Sequence, residues 1–316
     1  MVPRLPRIVF VLGKGGVGRS TVAAAMATAL KRRGERTLVF EWALSEAIAP
    51  WYGLAPGGID PVEVEPGVAV ANFRLDDSLR AYFVGHLGLG VFYRHVVNGR
   101  AMRRLIEAAP GIAEMMFLGH LCWLTTLAEQ EAGLGFDRIV VDAPATGHGG
   151  SLLDLPATLA SMHATGLLGK EVARVLEMMS DRRWTGALVV TTPEELAVEE
   201  TLELVPRATK SLGRPLVAAV VNRSAAGLVS EDARPAWLDT YGASLSPPVR
   251  AGLEILHADL QSRRRFEGAV PTSLAGATER GVFSLNEQLG IVPEISQRAI
   301  VSALAGALAG LCAEAT

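Results

Sequence analysis

Short runs of β-branched and aliphatic residues alternate along the chain with longer stretches in which apolar positions recur every three or four residues. That alternation is the signature of a parallel sheet with helices packed on its faces. Residues 7–12 predict a first strand, which runs into a glycine-rich turn. Residues 20–33 then predict an Ala-rich helix closed by Gly34. Further strands are expected over residues 37–41, 138–142, 187–192 and 216–222. These are mostly apolar runs rather than alternating ones, as befits strands covered on both sides.

Between residues 76 and 135 the pattern turns helical. Leu79, Phe83, Leu87 and Val91 recur at helical spacing, as do Met102, Leu105 and Ile106, and then Met115, Met116, Leu118, Leu121, Leu124 and Leu127. A helical insertion over 76–135 is therefore expected inside one α/β domain of residues 1–316. Periodicity alone does not separate packing residues from a binding groove, so Met115, Met116 and Phe117 read either as core, the favoured reading, or as a surface for apolar segments. Residues 225–248 and 267–282 read as loops. Residues 299–313, Ala/Gly-rich and too short to span hydrocarbon, read as a buried C-terminal helix.

Composition narrows the function classes. With 316 residues, 49% hydrophobic and 20% charged, the chain has the makings of a sizeable core and is too apolar for disorder. A net charge of -3 supplies no basic field, which argues against nucleic-acid binding. The Arg263-Arg264-Arg265 run sits in a helical pattern and reads as a solvated face. Cys122 and Cys312 cannot build a disulfide framework or a four-thiolate zinc site within one chain. Without a visible secretory signal or membrane span, a cytoplasmic protein is expected.

The chemistry begins at Gly13-Lys14-Gly15-Gly16-Val17-Gly18-Arg19-Ser20, which follows a predicted strand and opens a predicted helix. That is the context of a P-loop. Glycines let successive N–H groups turn inward around a polyphosphate, and the helix N-terminus adds partial positive charge. Ser20 is placed to ligate Mg²⁺. Where a P-loop carries lysine after its last glycine, this chain has Arg19, whose planar fork differs from a compact ammonium.

With Lys14 near its start, the loop resembles the deviant K-G-G-x-G-K-[ST] Walker A motif. Downstream, Val140-Val141-Asp142-Ala143-Pro144-Ala145-Thr146-Gly147-His148 resembles the switch II motif of the ArsA family, which includes arsenite-pump ATPases and the Get/TRC ATPases that deliver tail-anchored membrane proteins. Residues 190–201, from Val190 to Thr201, resemble that family's P-E-x-L-A-V-x-E-T element, and Val220-Val221-Asn222-Arg223 its nucleotide-base strand. The resemblance implies a three-layer parallel-sheet P-loop NTPase fold of the MinD/ParA/ArsA kind and binding of ATP/ADP with Mg²⁺. Gly13, Lys14, Gly15, Gly16, Val17, Gly18, Arg19, Ser20 and Thr21 would hold the phosphates, with Lys14 reaching a partner's nucleotide across a dimer interface. Asp142 would act through Mg²⁺-bound water, Asn222 would contact adenine, and the helical insertion would face a client or partner.

The departures matter as much. The family's switch I carries an Asp just after the second strand, and an ungapped count places Ala43 there. Loss of that carboxylate removes positioning of the attacking water, most of what phosphoryl transfer asks of a protein. Glu41 or Glu46 is the available substitute. There is no C-x-x-C for zinc and no thiol cluster for arsenite. The expectation is an ATP-binding subunit of weak turnover in a heterodimer with an active homologous subunit. An active homodimer using Glu41 or Glu46, and a chaperone-like binder of apolar protein clients with structural nucleotide, stand as alternatives.

Overall fold

The computed structural model describes residues 4–42, 46–86, 88, 90–97, 99, 111–126, 135–144, 152–155, 158, 166–226, 240–242, 244–286 and 297–313. Among the described residues eight strands form one sheet: β1 (Ile8–Gly13), β2 (Thr37–Glu41), β3 (Val62–Glu65), β4 (Val68–Asn72), β5 (Arg138–Asp142), β6 (Thr185–Thr191), β7 (Ala218–Ser224) and β8 (Val282–Asn286). Their spatial order is β3-β4-β2-β5-β1-β6-β7-β8, with every pair parallel except the β3–β4 edge. The five strands expected from apolar runs are present, β2 and β5 with the expected bounds and β1, β6 and β7 with ends shifted by one or two residues. The sequence reading missed β3, β4 and β8. β3 and β8 are edge strands with polar residues between the apolar ones, which gives no continuous apolar signal, whereas β4 is an apolar run as long as β2 and β5 that the reading passed over.

Alternate strand residues feed two cores. Val9, Val11, Val39, Val70 and Val140 face α1 (Arg19–Lys31) together with the C-terminal helix. Ile8, Phe10, Leu12, Leu38, Phe40, Ile139 and Val141 face the opposite helical layer. The C-terminal helix expected over 299–313 is present as Gln297–Ala307 followed by a short turn, Ala309–Cys312. It packs against α1, and Arg32 Nη2 reaches both the carbonyl and hydroxyl of Ser302 at 2.9 Å.

One expected loop is corrected. A helix runs from Pro247 to Ser273, so residues 267–273 belong to it rather than to a loop. Glu267 explains the continuation, because it is buried and accepts from the Ser224 hydroxyl at 2.6 Å and from Arg264 at 3.1 Å. Most of the other expected loop, 227–239, lies outside the described residues.

In the 76–135 region the described helical pieces include α2 (Leu75–Arg80), a π-helical turn over Ala81–His86 and α3 (Ile112–Thr126). Met102, Leu105, Ile106 and Leu127 lie outside the described residues. Phe117 is fully buried, stacked on Phe40 at 5.0 Å and Trp42 at 4.9 Å and edge-on to Phe73 at 5.2 Å. Met115 and Met116 are half-buried against the same core. Phe117 is thus core, and the surface reading fails for it. No helix among the described residues is long and apolar enough to cross a membrane.

Candidate functional site

β1 is central, and the turn leaving its carboxyl end carries the glycines. Gly13 and Gly18 lie at φ +151° and +90°. A Cβ on Gly13 would strike the Val190 carbonyl, and one on Gly18 would strike the Asn222 amide. Only glycine fits either position. Gly15 and Gly16 are exposed at the mouth of the loop, while Val17 is buried and anchors the turn in the α1 core. The first turn of α1, containing Arg19, Ser20 and Thr21, has neither a side-chain cap at Gly18 nor an acidic residue. Its N–H groups therefore form an end that favours an anion.

β5 ends at Asp142, paired in register with Val11 of β1 and Glu41 of β2. Both carboxylates face the α1 side, following Val140 and Val39 two residues before each. Asp142 is buried and accepts from the Ser20 hydroxyl at 2.5 Å through Oδ2. Its Oδ1 finds no hydrogen-bond partner among the described residues. Burial raises its pKa, opposed by the Ser20 hydrogen bond and by nearby Arg19. A hydroxyl and a buried carboxylate with an orphaned oxygen at the mouth of a P-loop are a donor set that fits Mg²⁺.

Glu41 is buried just as deeply, and its pKa is pushed up to about 7, chiefly by burial, with Asp142 and Glu46 adding repulsion against the Ala47 and Ile48 backbone N–H groups. Its Oε1 accepts from the Ala47 N–H at 3.1 Å, whereas Oε2 has no hydrogen-bond partner among the described residues. Glu46 is differently employed: its two oxygens accept from the Gly57 and Gly58 N–H groups at 2.9 and 2.8 Å. It ties down its own loop.

Arg19, in the place of the P-loop lysine, turns back toward the sheet. Its Nη1 donates to the Ala143 carbonyl at 2.5 Å, and burial lowers its pKa. Lys14 pairs with Glu200 of its own chain at 2.8 Å, both residues being partly exposed. Glu200 belongs to the helix Glu195–Leu212, inside the 190–201 element singled out in the sequence. The motif therefore marked the region, but nothing in it signalled this pairing. Asn222 donates through Nδ2 to the Val17 carbonyl at 2.9 Å. A bulge in β7 with Arg223 at φ +56° accompanies this inward turn of Asn222. The structure thus gathers Ser20, Asp142, Arg19 and Glu41 at the loop and braces the loop with Asn222. Ala43 and residues 145–148 lie outside the described residues.

Comparison with known proteins agrees with this geometry. Residues 8–232 match the model of the CobQ/CobB/MinD/ParA nucleotide binding domain. The chain is 29% identical over 269 residues to ATPase BagA of Mycobacterium tuberculosis, covering 78% of this chain and 77% of that one. It is 25% identical over 239 residues to ATPase ASNA1 homolog 1 of Paramecium tetraurelia, covering 64% of this chain and 70% of that one. To the arsenical pump-driving ATPase of Acidiphilium multivorum it is 25% identical over 218 residues, 63% of this chain but 36% of that longer protein. A P-loop on a central parallel strand, an Asp closing the adjacent strand, and these matches make the chain a member of the MinD/ParA/ArsA family of P-loop ATPases.

Proposed function

We propose that this chain is an ATP- and Mg²⁺-binding, ArsA/Get-like subunit that works in the cytoplasm as a dimer, and that its own turnover is weak beside that of an active paralogue. The observation carrying this reading is the bond from Arg19 to the Ala143 carbonyl. The side chain in the place of the phosphate-binding lysine is held at the end of β5. The residue types in the loop favour binding, while the one that would stabilise charge on a transferring phosphoryl group is turned elsewhere. Bound Mg²⁺ would neutralise charge on the β- and γ-phosphates. Ser20 and Asp142 would hold it, Asp142 through water, and residues 13–21 would cradle the phosphates. Lys14 would leave Glu200 to reach the partner's nucleotide. Asn222 would meet adenine with its amide carbonyl, its amino group already donating to Val17. Residues 76–135 would face the partner or client.

The test is turnover of the purified chain, alone and with Arg19→Lys, beside identification of the proteins that co-purify with it. Slow turnover, a severalfold gain in Arg19→Lys and a homologous partner are expected. Ordinary turnover by the chain alone, unchanged in Arg19→Lys, removes the reading.

A second reading is favoured by Glu41. Its unpartnered oxygen, its register with Asp142 and a pKa near 7 suit a carboxylate that positions and deprotonates water in place of the aspartate missing at Ala43. Glu46 is no longer an equal candidate, because both its oxygens hold backbone. On this reading the chain is an active homodimer, and Glu41→Gln abolishes turnover while ATP still binds. Full turnover in Glu41→Gln eliminates it.

A further inference from the structure

Two carboxylates end neighbouring strands beside the phosphate loop, and each is anchored through one oxygen only. Asp142 closes β5 and Glu41 closes β2. The two are paired in register, so their Cα atoms lie about 5 Å apart, the ordinary spacing of bonded strands. Both side chains follow a valine of the α1 core by two residues, Val140 and Val39, and so share that face of the sheet. Asp142 is 6% exposed and Glu41 is closed to solvent altogether. Asp142 Oδ2 accepts from the Ser20 hydroxyl at 2.5 Å, and Glu41 Oε1 accepts from the Ala47 N–H at 3.1 Å. The other two oxygens, Asp142 Oδ1 and Glu41 Oε2, are buried and have no hydrogen-bond partner among the described residues.

Buried charge is tolerated when it is paired or when it holds a metal ion. Two carboxylates side by side also repel, and Asp142 acts on Glu41 in that sense. The loop's own cation does not resolve this. Arg19 offsets part of the Asp142 charge, but its hydrogen bond goes to the Ala143 carbonyl and leaves both orphaned oxygens as they are. Glu46 supplies the contrast. Each of its oxygens holds a backbone N–H, so it has none to offer. Among the described residues no three His, Cys, Asp or Glu side chains gather as a metal cage. Two carboxylates and a hydroxyl suit instead a hard cation that keeps several waters, as Mg²⁺ and Mn²⁺ do.

We propose that Glu41 joins Ser20 and Asp142 in holding the divalent cation, and that the three take up Mg²⁺ or Mn²⁺ before any nucleotide binds. The proposal rests on the reading of Ser20 and Asp142 as Mg²⁺ residues, and adds to it a third residue and an order of binding. Nucleotide would then meet a loop already carrying its cation. Glu41 also gains a task that needs no turnover, in keeping with the weak activity expected of Arg19.

The probe is Mn²⁺, titrated into the full, nucleotide-free chain in mildly alkaline buffer, with the unbound ion read by electron paramagnetic resonance. A single saturable site, emptied by excess Mg²⁺, is expected. Glu41→Gln should bind Mn²⁺ at least roughly tenfold more weakly, because it removes one of the two carboxylate charges. Asp142→Asn should show a similar loss and decides the matter should Glu41→Gln not fold. No saturable Mn²⁺ uptake by wild type, or equal uptake by the variants, would overturn the proposal. ADP titrated into wild type with and without Mg²⁺ separates the two readings. If Mg²⁺ changes ADP affinity but no cation is taken up beforehand, the present proposal alone fails. If Mg²⁺ leaves ADP affinity unchanged, the reading of Ser20 and Asp142 fails with it.

Discussion

Glu41 illustrates how one residue can set a pH response. The folded chain holds its proton up to about pH 7, whereas its ordinary value is 4.5. Between those values the native state binds more protons than the unfolded one, so stability falls as pH rises. Taken alone, the group accounts for a loss of roughly 3 kcal/mol, complete above the upper value. Glu41→Gln should therefore be more stable than wild type near about pH 8, with the difference vanishing below about pH 4.5, as read by urea unfolding. At Gly18, a methyl group would meet the Asn222 amide at a backbone angle that L-residues rarely adopt. Gly18→Ala should lose nucleotide binding by at least about tenfold, measured by titration, through distortion of the loop.

At the scale of elements, α3 is held by its aromatic contact with the sheet. Phe117 joins Phe40, Trp42 and Phe73 in one cluster beside the carboxyl end of β2. Phe117→Ala should cost about 3–5 kcal/mol, the usual range for emptying a buried phenylalanine site, in a denaturant titration. A client-binding role for this side chain would instead leave stability nearly unchanged. The same cluster seats α3 at the carboxyl end of β2, on the face of the sheet opposite the Glu41 side chain.

For the whole molecule, the Lys14–Glu200 pair is the contact that the dimer reading must break. Both side chains are more than a third open to solvent, so the pair contributes little to stability, about 0–1 kcal/mol after solvent screening. Glu200→Gln should leave the unfolding midpoint nearly unchanged yet favour association in the presence of ATP, because Lys14 is released for the partner's phosphates. Sedimentation with and without nucleotide measures this. Unchanged association would mean that Lys14 does not act between subunits.

The sequence by itself determined the element order of the central strands, the P-loop and the family, because a parallel sheet writes itself as apolar runs and a phosphate loop as glycines at fixed spacing. Asp142 was legible for the same reason, being the carboxylate that ends such a run. What only the tertiary structure decided is which groups meet. The edge strands β3 and β8 carry mixed patterns that local periodicity does not resolve. Glu41 and Glu46 are five residues apart and chemically alike, yet one keeps a buried oxygen beside Asp142 and the other is absorbed by two backbone N–H groups. Arg19 could have reached either phosphate or sheet, and its contact with Ala143 joins residues 124 positions apart. Long-range convergence of this kind follows from strand register, which brings together side chains that a linear pattern keeps apart.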